Sequence, residues 1–162
     1  MTLCRLALAA ALALAAAPAA ADEPLEIGWL DLLPEGAPNP YSAPLALAPH
    51  NELDPAAEQP EGGEVTTRYN GRTVRIAGYV VPLDMSGTGV REFLLVPYVG
   101  ACIHVPPPPA NQLIFVTAEE PFELDGLFEP VLVTGLFGTM ALSTGLADVG
   151  YALSAERIEP WE

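Results

Sequence analysis

The chain has 162 residues, with 21 acidic side chains against six basic ones, all arginine, and a formal net charge of −15. A field of that sign repels nucleic acid and anionic lipid surfaces, which excludes both as partners and leaves cations or basic protein surfaces. The length suits one domain with a real core, and an acidic surface is also an ordinary device for solubility.

The chain opens MTLCRLALAAALALAAAPAAADEP, with Arg5 ahead of an apolar run over 6–17 and small residues at Ala19, Ala20 and Ala21. This predicts a secretory signal peptide over 1–21, cleaved after Ala21, and a periplasmic location. The apolar run is short of the roughly 20 residues of a membrane span. No Cys follows it, so no direct lipid anchor is seen, and Cys4 leaves with the signal. Cys102 is then the lone thiol of the mature chain, in a compartment where disulfides usually claim such groups.

Residues 22–65 read as an extended Pro/Glu-rich arm. Pro38, Pro40, Pro44, Pro49, Pro55 and Pro60 interrupt any helical or strand period. Ahead of them, IGWLDLLPEG gathers Trp29, Leu30, Leu32 and Leu33 into an apolar patch, expected as a short helical turn docked on the domain.

From Thr66 the pattern is that of strands. RTVRIAGYVVPLD alternates, with Val74, Ile76 and Val80 on one face and Arg75, Ala77, Tyr79 and Val81 on the other. Gly78 in its middle marks a bulge or sharp coil. MSGTG turns, REFLLVPYV is a second strand, and 101–105 is a short third that the prolines stop. NQLIFVT (111–117) follows, its continuous apolar run implying burial on both faces; PVLVTGLFG and YALSAERIEPW close the domain. No long amphipathic helix appears, so the expectation for 66–162 is all-β: a small OB-like barrel of five to six strands, with a small open β-sandwich as the alternative. The coil at Gly78 suits a strand that bends to serve both sides of a closed barrel.

The stretch YVGACIHVPPPPANQ (98–112) carries the chemistry. Cys102 and His104 share one face of an extended chain. A thiolate and an imidazole suit Zn²⁺ or Cu⁺, with Asp84 or His50 as further ligands, although no CxxC or HxxxH completes a set. A second reading makes Cys102 a nucleophile activated by His104 and oriented by Asn111, which needs a bend, since side chains two apart on a strand are about 7 Å apart. A third is structural. Pro106, Pro107, Pro108 and Pro109 form a rigid polyproline rod, and Asn111 and Gln112 cap backbone that the prolines cannot serve.

GYVVPLD (78–84), EFLLVPYVGACIHVPPPPANQ (92–112), VLVTG (131–135) and GYALSAERIEPW (150–161) closely resemble, in order, the bacterial exported family known as domain of unknown function 3299. IGWLDLLPEG also fits that family's Trp-x-x-Leu-x-Pro opening. The resemblance implies a small periplasmic protein or lipoprotein with a β-rich, OB-like domain, found beside ABC-type transporter components and with a zinc link in some members. Its signature falls on Cys102, His104, Pro106, Pro107, Pro108, Pro109, Asn111 and Gln112. The expectation is a non-enzymatic accessory protein that binds a metal ion, zinc favoured, or a transporter component through the 102–112 face. A thiol-dependent enzyme and a pure interaction module are the alternatives.

Overall fold

The computed structural model describes residues 23–41, 59–60, 63–87, 89–101 and 107–162, with the backbone alone at 85 and 86. The expected signal peptide, His50 and the stretch from Cys102 to Pro106, with its expected short strand, lie outside them. Among the described residues seven strands follow in chain order: β1 (Leu25–Glu26), β2 (Arg72–Pro82), β3 (Met85–Ser86), β4 (Gly89–Val96), β5 (Ile114–Glu123), β6 (Pro130–Ser143) and β7 (Asp148–Pro160). Among the described residues there is no α-helix, only 3-10 turns at Trp29–Leu32 and Ala110–Gln112.

The five long strands form one hydrogen-bonded ring. β2 pairs antiparallel with β6 from Arg72↔Phe137 to Tyr79↔Pro130, and then with β4 from Tyr79↔Val96 to Pro82↔Phe93. β4 continues antiparallel to β5, β5 runs parallel to β7, and β7 returns antiparallel to β6. The all-β, OB-like expectation is met, with short β1 and β3 appended to β2 and β4.

β2 changes partner at Gly78 and Tyr79, so the main chains come close there. A Cβ on Gly78 would stand 2.8 Å from Leu95 Cγ and 2.9 Å from the Val96 carbonyl oxygen. The missing side chain lets one strand serve two neighbours.

Alternation divides the apolar residues between two clusters. Val74, Ile76, Val80, Phe93, Leu95, Ile114, Val116, Val131, Val133, Phe137, Tyr151 and Leu153 fill the ring interior. The registers Phe93↔Val116 and Leu95↔Ile114 put facing pairs on that side. Val81, Leu94, Val96, Leu113 and Val149 form a second cluster with Ala101 and Ala147. β4 therefore buries both faces, which accounts for its unbroken FLLV. Each fully buried Leu or Phe contributes about 1.5–3 kcal/mol by leaving water.

Two details differ from the sequence reading. The strand expected from Asn111 begins at Ile114, because the prolines deliver the chain into a 3-10 turn first. β6 extends past Gly138 to Ser143, paired with the start of β7 through Leu142↔Val149 and Ser143↔Asp148.

Gly78→Ala should destabilise the domain by about 1–3 kcal/mol in urea unfolding, the range for overpacking against backbone. A change within about 0.5 kcal/mol, the range of neutral surface substitutions, would contradict the close-approach account.

Candidate functional site

The turn bearing Asn111 and Gln112 follows from the prolines before it. Pro109 sits at φ −58°, ψ 154°, the polyproline II region. The chain then closes in one tight turn, with Gln112 N–H donating to Pro109 C=O at 2.8 Å and Leu113 N–H to Ala110 C=O at 3.3 Å. Gly150 of β7 makes room beneath it: a Cβ there would lie 2.8 Å from the Ala110 carbonyl oxygen and 2.7 Å from Val65 Cγ1.

The turn's two amides face inward. Gln112 has no solvent exposure. Its Nε2 donates to the Trp29 carbonyl at 3.0 Å and to the Asn111 carbonyl at 2.7 Å, and its Oε1 accepts from the Tyr41 hydroxyl at 2.5 Å. One side chain thus holds two separate points of the arm. Asn111, 6 % exposed, donates from Nδ2 to the Glu64 carbonyl at 3.1 Å, while its buried Oδ1 has no hydrogen-bond partner among the described residues.

Other contacts complete the clamp. The Trp29 indole N–H donates to the Ala77 carbonyl of β2 at 2.8 Å. The Tyr151 hydroxyl, in the ring interior, donates to the Leu32 carbonyl at 2.6 Å and accepts from Thr66 N–H at 2.8 Å. Gln59 donates from Nε2 to the Pro108 and Asp148 carbonyls at 2.8 and 2.9 Å and accepts from Asp148 N–H at 2.7 Å. Leu32 itself is fully buried and Trp29 packs against the core, while Leu30 of the same patch is 52 % exposed.

Burial raises the Tyr41 hydroxyl well above the usual tyrosine range, and the neighbouring Tyr98, whose ring meets it edge-on at 6.3 Å, adds to the shift. Burial also raises Tyr151, opposed in part by the hydrogen bond from Thr66.

Of the residues singled out by sequence, Asn111 and Gln112 are brought together with the buried Pro107 and Pro108 and with Pro109. Asp84 is exposed between β2 and β3, its N–H on the Glu92 carbonyl at 3.3 Å. Glu92 lies three residues, about 10 Å of strand rise, before the Leu95 that pairs with Ile114. Cys102, His104 and Pro106 lie outside the described residues. Among the described residues no three His, Cys, Asp or Glu side chains converge as metal ligands.

The described residues on either side of 102–106 are packed against the domain. Ala101 is buried in the second apolar cluster, and Pro107 and Pro108 are buried with Gln59 on the Pro108 carbonyl. Two clefts flank the turn. One, of about 350 Å³, runs along Pro34, Pro38, Pro60, Glu64 and Asn111. The other, of about 620 Å³, lies over Val65, Ala110, Met140, Leu142 and Gly150. Sequence reasoning missed Tyr41, Gln59 and Tyr151 as clamp members. An aromatic residue amid the arm's prolines was the one local signal, for Tyr41.

The profile of the family described as "Protein of unknown function (DUF3299)" matches residues 29–160, and the chain belongs to that family. A crystal structure of a DUF3299 family protein from Pseudomonas aeruginosa PAO1 is similar at 41 % identity and a TM-score of 0.73. The match covers 86 % of this chain and 97 % of that one. No curated protein matches the chain significantly.

Two outcomes test the clamp. Gln112→Leu keeps the volume but strands the Trp29 carbonyl and the Tyr41 hydroxyl, and should cost about 2–4 kcal/mol in urea unfolding. Both tyrosines have folded values above the unfolded value near 10. Their contribution is therefore complete below about pH 10 and lost as pH rises beyond it. The melting temperature of wild type should fall more steeply above that pH than that of Tyr41→Phe.

Proposed function

We propose, from its membership of the DUF3299 family and the packing of the described residues on either side of 102–106, that this is a non-enzymatic, exported binding protein. In this reading it is a periplasmic accessory to a membrane transporter, and the 102–112 face is its working surface. Its favoured ligand is zinc, held by Cys102 and His104 with Asp84 as the further protein ligand. Asn111 and Gln112 do not ligate: their amides hold the arm and set where the loop ends lie. Burial of the flanking Ala101, Pro107 and Pro108 supports this reading, since it ties the segment that carries Cys102 and His104 to the domain.

One observation favours a second reading, a pure interaction module. The hydrogen bonds around the turn join arm to ring, which is what a structural Cys/His/Pro loop needs. Partner contact would then fall on the flanking clefts and on exposed Val99.

Calorimetric titration with zinc separates the two. Binding by wild type, weakened at least about tenfold in Cys102→Ala and in His104→Ala and less in Asp84→Ala, is the expected result. Equal, negligible heats for all four proteins would remove the metal role and leave the interaction module.

A further inference from the structure

The ring has one join that opens. β5 and β7 pair in parallel from Ile114↔Tyr151 to Ala118↔Ala155 and then part. Beyond that point β7 stays with β6, through Arg157↔Thr134 to Pro160↔Val131, and β5 rejoins β4 at Phe122↔Val90. Both strands bulge where they separate. On β5, residues 118–121 stand opposite Arg91 alone, and on β7 Glu156 is the extra residue between Ala155↔Gly135 and Arg157↔Thr134.

The result is a cleft of about 490 Å³ between Glu119, Glu120, Pro121 and Phe122 on one side and Ala155 to Ile158 on the other. Its floor is apolar, since Phe122, Ala155 and Ile158 pack against the ring interior. In an antiparallel pair, alternate residues turn their N–H and C=O groups away from the partner strand. Past Ala155, β7 has β6 on one side and this cleft on the other. Where β2 leaves its pairing with β4, β1 fills in beside it through Leu25↔Val74 and Glu26↔Arg75. Among the described residues no strand does the same for β7 beyond Ala155.

We propose that this seam is a docking slot for an extended, basic peptide segment of a partner protein, which adds as a strand along the edge of β7 that no described strand covers. The backbone edge supplies the hydrogen bonds, as in strand addition generally, and the Phe122 and Ile158 floor takes alternate apolar side chains. Charge selects the partner. Glu119, Glu120 and Glu156 line the mouth, Arg157 shares its charge with Glu159 at 4.0 Å, and Arg91 is turned onto the Glu119 carbonyl. The chain as a whole carries −15 and no lysine, so it repels a second copy of itself and attracts a basic segment. The slot lies four residues, about 13 Å of strand rise, from the ladder end at the Asn111–Gln112 turn. It stands whatever ligand that turn's face takes.

The probe is the peptide acetyl-Lys-Val-Lys-Val-Lys-Val-Lys-amide, titrated into the purified protein and followed by amide chemical shifts. Shifts confined to residues 118–122 and 154–159 are expected, with affinity falling as salt rises. Replacing the central Val of the peptide by Pro should weaken binding about tenfold, the effect of losing strand hydrogen bonds. The double variant Glu120→Lys with Glu156→Lys changes exposed side chains and should bind about tenfold more weakly at an unchanged melting temperature. Equal affinity for the Pro-containing peptide, equal affinity of the charge-reversed variant, shifts centred elsewhere or no binding would each overturn the proposal.

Discussion

A primary amide sealed from solvent holds this protein together at its most informative point. Gln112 has no exposure, and a buried amide without partners would cost several kcal/mol. Its two arm contacts therefore work as obligations as well as attractions. Trp29 must offer its carbonyl and Tyr41 its hydroxyl whenever the turn is in place. The described part of the arm is thereby part of the fold, although its composition alone would leave it a solvated tail.

The rest of the architecture follows from that obligation and from the ring. Trp29 reaches the Ala77 carbonyl, one residue before the Gly78 approach where β2 changes partner. Tyr151 ties Leu32 and Thr66 to the interior of β7, beside the Gly150 that carries the turn. Arm, ring and turn are thus coupled through buried polar groups whose loss is felt at both ends of each contact. The parallel β5–β7 ladder runs between the turn, at Ile114↔Tyr151, and the open seam past Ala118↔Ala155.

What was legible in the sequence was local or periodic. Alternation in RTVRIAGYVVP, the unbroken apolar runs in β4 and β5, and a central glycine announced an all-β domain with a coiled first strand, and left barrel and sandwich both open. Contact between IGWLDLLPEG and the domain was expected from its large apolar side chains, of which Leu32 is buried and Trp29 packs on the core while Leu30 stays exposed. That Asn111 and Gln112 would spend their amides on backbone was suggested by the missing N–H groups of the prolines, but the carbonyls they meet are those of Glu64, Trp29 and Asn111. Their partners were not legible, because Tyr41, Glu64 and Trp29 lie 47 to 83 residues away and hydrogen bonding leaves no period in a sequence. The start of β5 was misplaced for a related reason: an Asn-Gln pair reads equally as strand or turn until its amides have partners. The seam was invisible too, since a register shift appears only when two strands are laid side by side.

The central claim is that the arm is clamped to the ring as one cooperative unit through Gln112 and its neighbours. Native-state hydrogen exchange on the wild-type protein tests it most directly, by comparing the Trp29 indole N–H and the Ile27 amide with the ring amides of Ile76 and Val133. The account predicts protection factors within about tenfold of one another, as for groups that open together. Arm protons that exchange far faster than the ring amides would contradict it.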